Sequence, residues 1–400
     1  MKQLSKVALD IQPSATLRVD ALFKQMRQNG LDVVSFGTGE PDFDTPENIK
    51  QAAIKAIVEG KTKYTQASGM PELRKAAADR LRADCNIEYT PEQIVVASGA
   101  KHSIFAALCC VLNQGDEVIL PAPYWVTYAE SIRMAGGVAK IVHASEESDF
   151  KITKEQLESA VSEKTKMLIL NNPSNPTGMV YSEIELEELC DVCVKHDLYI
   201  LSDEIYYRFV YDGREFISVA ALGDDVKERT ILVNGVSKTY AMTGWRIGYT
   251  ACNLNLANVM GNFLSHSTSA PSTISQIAAV QALCDTQDSV DEMCRIFKER
   301  RDYIVGRIAS TPGVSCRTPQ GAFYIMLNIE QLIGTSLDGR TIESSDDFAL
   351  LFLEKGLVAT VSCSAFGCEN FVRLTYAASM ETIKTGMDRL EEFVCKISRK

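Results

Sequence analysis

Lys238 lies in the run Ser237-Lys238-Thr239-Tyr240-Ala241-Met242-Thr243-Gly244-Trp245-Arg246-Ile247-Gly248-Tyr249, directly after an apolar stretch, Thr230 to Asn234, that reads as a buried strand. A lysine in that setting loses hydration, which lowers the ammonium pKa and frees the nucleophilic amine required of a Schiff-base former. Arg246, eight residues further on, offers a planar fork for a phosphate, and Gly244 and Gly248 let the backbone come close to a bound group. By type alone Lys238 is an ordinary loop lysine. The order of residues around it is what marks it.

Other stretches carry compatible chemistry. Ile94 to Ala97 reads as a strand, and Ser98-Gly99-Ala100-Lys101 opens a helix running to about Asn113. Unpaired N–H groups and the positive dipole end of such a turn suit a phosphate, and no Walker motif is present. Leu198 to Tyr206 is an apolar strand ending in Asp203, an acid at the ligand-facing end of a parallel sheet, with Tyr206 just beyond. Trp125, after the strand Glu117 to Leu120, can stack on a flat ring or simply fill core. Asn171 to Gly178 holds two proline steps that fix a non-helical loop around Asn175. Gly37-Thr38-Gly39-Glu40-Pro41-Asp42-Phe43 is a tight turn after a short strand at Leu31 to Phe36. Arg373 ends a strand in Phe371 to Tyr376, either as a carboxylate clamp or as a surface ion-pair residue.

The elements that must position these residues alternate strand and helix through the centre of the chain, the pattern of an α/β fold with a mainly parallel sheet. Helices are expected at 14–29 and 153–161, at Ser182 to His196 as a solvated stripe, and at Glu292 to Ala309. Thr45-Pro46 reads as an N-cap and first-turn proline for the helix through Ile49 to Ile57. Further strands are expected near 323–328 and 357–361. The division expected is an N-terminal segment, 1–45, packing with a small C-terminal α+β domain, 291–400, and a large domain, 46–290, between them. Of the 400 residues 46% are apolar and 23% charged, the composition of a globular protein. The net charge of −11 argues against non-specific nucleic-acid or anionic-membrane binding. No long apolar run or apolar signal core occurs, and a cytoplasmic location is expected. The twelve cysteines are scattered, with Cys109-Cys110 and Cys190-x-x-Cys193 in helix-like patterns; no second CxxC completes a zinc site, and reduced, mostly buried thiols are expected.

Taken together the motifs closely resemble class I aminotransferases, in the family's order: Gly39, Tyr64, Ser98 to Lys101, Trp125, Asn175, Asp203, Tyr206, Lys238, Arg246 and Arg373. The resemblance implies the fold-type I pyridoxal-phosphate architecture, with a mainly parallel seven-stranded sheet flanked by helices and a smaller α+β domain. It implies that Lys238 binds the cofactor covalently, Asp203 faces its ring nitrogen, and Tyr206 and Asn175 face its ring oxygen. Gly99, Ala100, Lys101, Ser237 and Arg246 would hold the phosphate, and Trp125 would stack on the ring. Tyr64 would reach the phosphate of a neighbouring subunit, which makes the protein a homodimer. Arg373, with Gly39, Trp125 and Asn175, would bind the substrate α-carboxylate end.

Within the family the chain is most similar to the bacterial aspartate and aspartate/prephenate subgroup, where a lysine matching Lys101 and hydroxyls matching Ser14 and Thr16 bind the distal carboxylate. The implied reaction is ping-pong amino transfer from L-aspartate to 2-oxoglutarate. Gly235 stands where many relatives carry a phosphate-binding serine. Neutral Gln12 stands where prephenate-using relatives often have a basic residue. The alternatives are an aminotransferase of this fold with another preference (prephenate, aromatic, alanine or kynurenine), and a non-catalytic pyridoxal-phosphate sensor. Sensors of that kind carry an added basic DNA-binding domain, whereas only about a dozen residues precede the first expected helix here. No metal is expected.

Overall fold

The computed structural model describes residues 3–11 and 15–397, with the side chains of 15–18 and 20 outside the description. Ser14 and Gln12, and the side chain of Thr16, therefore lie outside the described residues. Seven strands form the central sheet: β1 (Ile94–Ala97), β2 (Glu117–Ala122), β3 (Val138–His143), β4 (Thr165–Asn171), β5 (Tyr199–Asp203), β6 (Thr230–Gly235) and β7 (Gly248–Ala251). Their order across the sheet is β1-β7-β6-β5-β4-β2-β3. The neighbours from β6 to β3 pair in parallel, and only β7 runs antiparallel, against both β1 and β6. Strands β1, β5 and β6 consist almost wholly of buried residues, as both faces of a parallel sheet must when helices cover them.

The first residue of β7, Gly248, pairs with the last residues of β1 and β6, Ala97 and Gly235. A side chain fits at neither glycine. A Cβ on Gly248 would stand 2.2 Å from the Ala100 nitrogen, and one on Gly235 would stand 2.8 Å from the Ile247 carbonyl. The missing serine at Gly235 thus has a local packing reason.

C-terminal strands Tyr324–Asn328, Val361–Ser362 and Phe371–Thr375 form a separate antiparallel sheet. The helices Asp288–Ser310, Ser345–Gly356 and Met380–Lys396 pack around it through Phe297, Ile304, Phe348, Phe352 and Leu390. Val34 and Ser35 pair in parallel with Val358 and Ala359, tying the N-terminal segment to this C-terminal part.

Several expectations change in detail. The expected strand at 357–361 is two short strands, 358–359 and 361–362, in different sheets. Thr45 does not cap the helix Glu47–Val58; Pro46 occupies the cap position, and Thr45 Oγ1 donates to the Ala241 carbonyl instead. A short helix, Lys6–Asp10, precedes the expected first one. The Glu183–Lys195 helix is solvated on one face only, since Leu186, Leu189, Cys190, Val192 and Cys193 are buried. All twelve cysteines are free, and burial pushes the Cys190 thiol up to about 12. Among the described residues, no helix is long and apolar enough to cross a membrane, and no His/Cys/Asp/Glu group could hold a metal.

Candidate active site

The loops at the C-terminal ends of β4, β5 and β6, and the turn entering β7, converge on one cavity of about 350 Å³. Gly39, Ala100, Lys101, Trp125, Asn175, Asp203, Tyr206, Ser237, Lys238, Arg246 and Arg373 all line it. Gly99 lies directly behind, and a Cβ there would meet the Arg246 guanidinium at 2.3 Å. Tyr64 is not among the lining residues and is 96% exposed.

Lys238 Nζ donates to the Gly39 carbonyl at 2.6 Å. Burial, reinforced by Arg246 and Arg373 and opposed by Glu40 and Asp203, lowers its pKa to about 8. The amine is thus far easier to deprotonate than a surface lysine. The lysine loop is tied to the N-terminal turn by Thr45 Oγ1, which also accepts from Trp245 Nε1 at 3.0 Å, and by Thr243, which donates to Glu40 at 2.7 Å.

Asp203 ends β5 with its carboxylate buried. Desolvation raises its pKa to about 6, against hydrogen bonds from Tyr128 Oη (2.7 Å) and the Ile205 N–H (3.2 Å) and the nearby Lys238. A cation beside it would restore the ionised form, so the position asks for a positively charged partner.

Asn171, the last residue of β4, orients both neighbours: its Nδ2 donates to the Asp203 carbonyl at 2.9 Å and its Oδ1 accepts from the Asn175 N–H at 2.7 Å. Arg373 is buried between the rings of Tyr324 and Phe366, 4.6 and 5.2 Å from its guanidinium carbon. It donates to Asn175 Oδ1 at 3.0 Å and to the Gly37 carbonyl at 2.8 Å, while its Nε is buried without a partner among the described residues.

Arg246 adopts a left-handed backbone (φ +57°) that turns its side chain onto the start of the helix Ala100–Val111, where it donates to the Thr243 and Ser98 carbonyls. Lys101 Nζ stands 4.9 Å from the centre of the Trp125 ring, and burial together with Arg246 lowers its pKa. Four cationic side chains therefore face one carboxylate around the cavity, beside a helix N-terminus. That balance fits a ligand bearing phosphate and carboxylate groups.

Tyr128, Asn171 and Tyr324 line this cavity and escaped the sequence reading. Tyr128 lies in a helical first turn, three residues past Trp125, and its spacing resembles ordinary core. Asn171, four residues before Asn175, carried the only available signal, a polar residue closing an apolar strand.

A buried lysine of lowered pKa and a buried acid at the C-terminal edge of an α/β sheet, ringed by cationic side chains, form a site suited to Schiff-base chemistry on an anionic ligand. The family model for aminotransferase class I and II matches residues 31–390, and the chain belongs to that family. Among its relatives are the aspartate aminotransferase of Bacillus subtilis, 42% identical over 99% of this chain and 100% of that one, and the aspartate/prephenate aminotransferase of Cereibacter sphaeroides, 42% identical over the full length of both. The crystal structure of aspartate aminotransferase from Rhizobium meliloti superposes with a TM-score of 0.96 at 39% identity, covering all of both chains.

Proposed function

We propose that the protein is a pyridoxal-phosphate-dependent aspartate aminotransferase that transfers the amino group of L-aspartate to 2-oxoglutarate. The observation that carries the reading is the Lys238 amine, softened to a pKa of about 8 and held in the same cavity as buried Asp203. Lys238 would anchor the cofactor, Asp203 would hold a proton on its ring nitrogen, and Tyr206 and Asn175 would face its ring oxygen. The Gly99-Ala100-Lys101 turn, Ser237 and Arg246 would grip the phosphate, and Trp125 would cover the ring. Bound there, pyridoxal phosphate supplies an electron sink for negative charge developing at the substrate Cα. The Lys238 amine would be the base that takes the proton from the substrate Cα and gives it up again to the cofactor carbon. Arg373 would clamp the α-carboxylate beside Gly39, and its unpartnered Nε leaves a donor for one more acceptor.

Lys101 would bind the distal carboxylate, aided by Ser14 and Thr16. Around Phe263 to Pro271 the sequence offers no arginine for that task, and Lys101 stands at the cavity over Trp125. Losing a charge-assisted contact costs about 1.5–3 kcal/mol, or roughly ten- to a hundredfold. With 2-oxoglutarate as acceptor, Lys101→Ser should lower kcat/KM for aspartate by about that factor, and for glutamate likewise with a matching oxo acid. Alanine and phenylalanine should change little. An equal loss for all four amino acids would leave the Lys101 side chain serving only the cofactor or the fold and the distal carboxylate without a partner.

We further propose a cytoplasmic homodimer in which Tyr64 completes the site of a second copy, with the segment 1–45 and residues 291–400 forming the small domain beside the large domain 46–290. Twelve unpaired thiols suit a reducing compartment. The exposed Ile54, Ile57 and Val58 on the helix leading to Tyr64 supply an apolar face for such a contact. Mixing Lys238→Ala chains with Tyr64→Phe chains should create hybrids with one fully native site, seen as a cofactor affinity about tenfold or more above the Tyr64→Phe parent. Hybrids with the two parental affinities alone would overturn the in-trans role of Tyr64.

A further inference from the structure

Tyr324 belongs to none of the roles above, yet it touches three of their residues. It opens the strand Tyr324–Asn328 of the small sheet and is buried at the cavity wall. Its Oη lies 2.9 Å from Tyr206 Oη, and its ring stands against the Arg373 guanidinium at 4.6 Å. The same hydroxyl fills the space in front of Gly39, where a Cβ would stand only 2.7 Å away.

We propose that Tyr324 is a positioning residue for the transamination, acting through its hydrogen bond to Tyr206, while its ring separately holds Arg373 in place. This rests on the cofactor reading above. A phenol carries one proton. When Tyr206 gives its proton to a ligand oxygen, its own oxygen can only accept, and Tyr324 is the group placed to donate. The other acceptor near Tyr324, the Gly39 carbonyl, is 3.5 Å away, too far to compete well. Donation into Tyr206 polarises its O–H bond and strengthens what it gives to the ligand. Because Tyr324 comes from the C-terminal sheet and Tyr206 from the loop after β5, this tuning depends on the two parts being seated together.

The test is a pH titration of the visible absorbance of the cofactor-loaded enzyme, with succinate affinity measured in parallel. A donor to the ring oxygen favours its anionic form, so a weaker donor leaves the bound group holding its proton more tightly. Tyr324→Phe should therefore move the absorbance midpoint to higher pH, by about three- to tenfold in proton affinity, the worth of one ordinary hydrogen bond. Succinate binding should stay within about twofold, since the phenylalanine ring still faces Arg373. Tyr324→Leu should weaken succinate as well. Tyr206→Phe should shift the midpoint by itself, and adding Tyr324→Phe to it should bring no further shift. A wild-type midpoint in Tyr324→Phe, additive shifts in the double variant, or an equal loss of succinate binding in Tyr324→Phe would each overturn the role of Tyr324. A wild-type protein that never shows a cofactor band would overturn the cofactor reading, and this inference with it.

Discussion

Lys238→Ala should abolish transamination and the absorbance of covalently held cofactor together. General acid–base catalysis by a positioned group contributes about 10²–10⁴ in rate, and in the proposed reading the same side chain also anchors the cofactor. Lys101, the other lysine lining the cavity, does not replace it, since it lies over Trp125 at the start of the helix Ala100–Val111. The packing cost should be small, because the side chain lines the cavity, where water can replace the amine at the Gly39 carbonyl. The proton-transfer role also fixes a pH sign. With the free amine as the proposed base, single-turnover proton transfer in the wild type should climb with pH through the lowered Lys238 pKa of about 8 and level off about a unit above it. Borohydride that still fixed cofactor onto the Lys238→Ala chain would assign the attachment to another amine.

Asp203→Asn should leave the protein folded and able to take up cofactor while slowing Cα–H cleavage severely. Asparagine keeps an oxygen for the Ile205 N–H, and the Tyr128 hydroxyl can turn to accept from the new amide. What disappears is the negative charge. Breaking a buried charge pair by neutralising one member costs about 3–5 kcal/mol, roughly 10²- to 10³-fold or more if it falls on the transition state. The loss should appear in kcat rather than in KM. A kcat near the wild-type value would remove Asp203 from its place opposite the ring nitrogen.

Much of this site was readable because each candidate stands at a boundary between periodic segments. Asp203 ends an apolar strand, Lys238 follows another, and Gly99 opens a helix; such junctions are visible along the chain. Tyr324 was hidden for the opposite reason. It begins an apolar run in which every neighbour is core, and only the three-dimensional approach to Tyr206 and Arg373 gives its hydroxyl a task. Thr45 misled through local logic. A threonine before proline is a good helix cap in isolation, but the lysine loop offered its hydroxyl a carbonyl, and that tertiary bond won. The 357–361 segment reads as one strand because its hydrophobicity is continuous; the register of two different sheets divides it at Thr360.

The single reversed strand of the sheet has a geometric result of its own. A parallel β7 would begin on the far edge, leaving Arg246 about 13 Å from the helix start it now faces, at roughly 3.3 Å per residue over a four-residue strand. Running backwards, β7 starts where β6 stops, with Gly248 beside Gly235. The chain thus leaves and re-enters the sheet at neighbouring points on the same rim, and the segment between closes into one arch that sets Lys238 and Arg246 at the cavity and Tyr240 and Met242 in the core. Its two feet are pinned to each other by sheet pairing, so the spacing of amine and guanidinium is a matter of arch length. Adding or deleting a residue between them would displace one cation against the other and shift Tyr240 and Met242 in the core they share with the sheet.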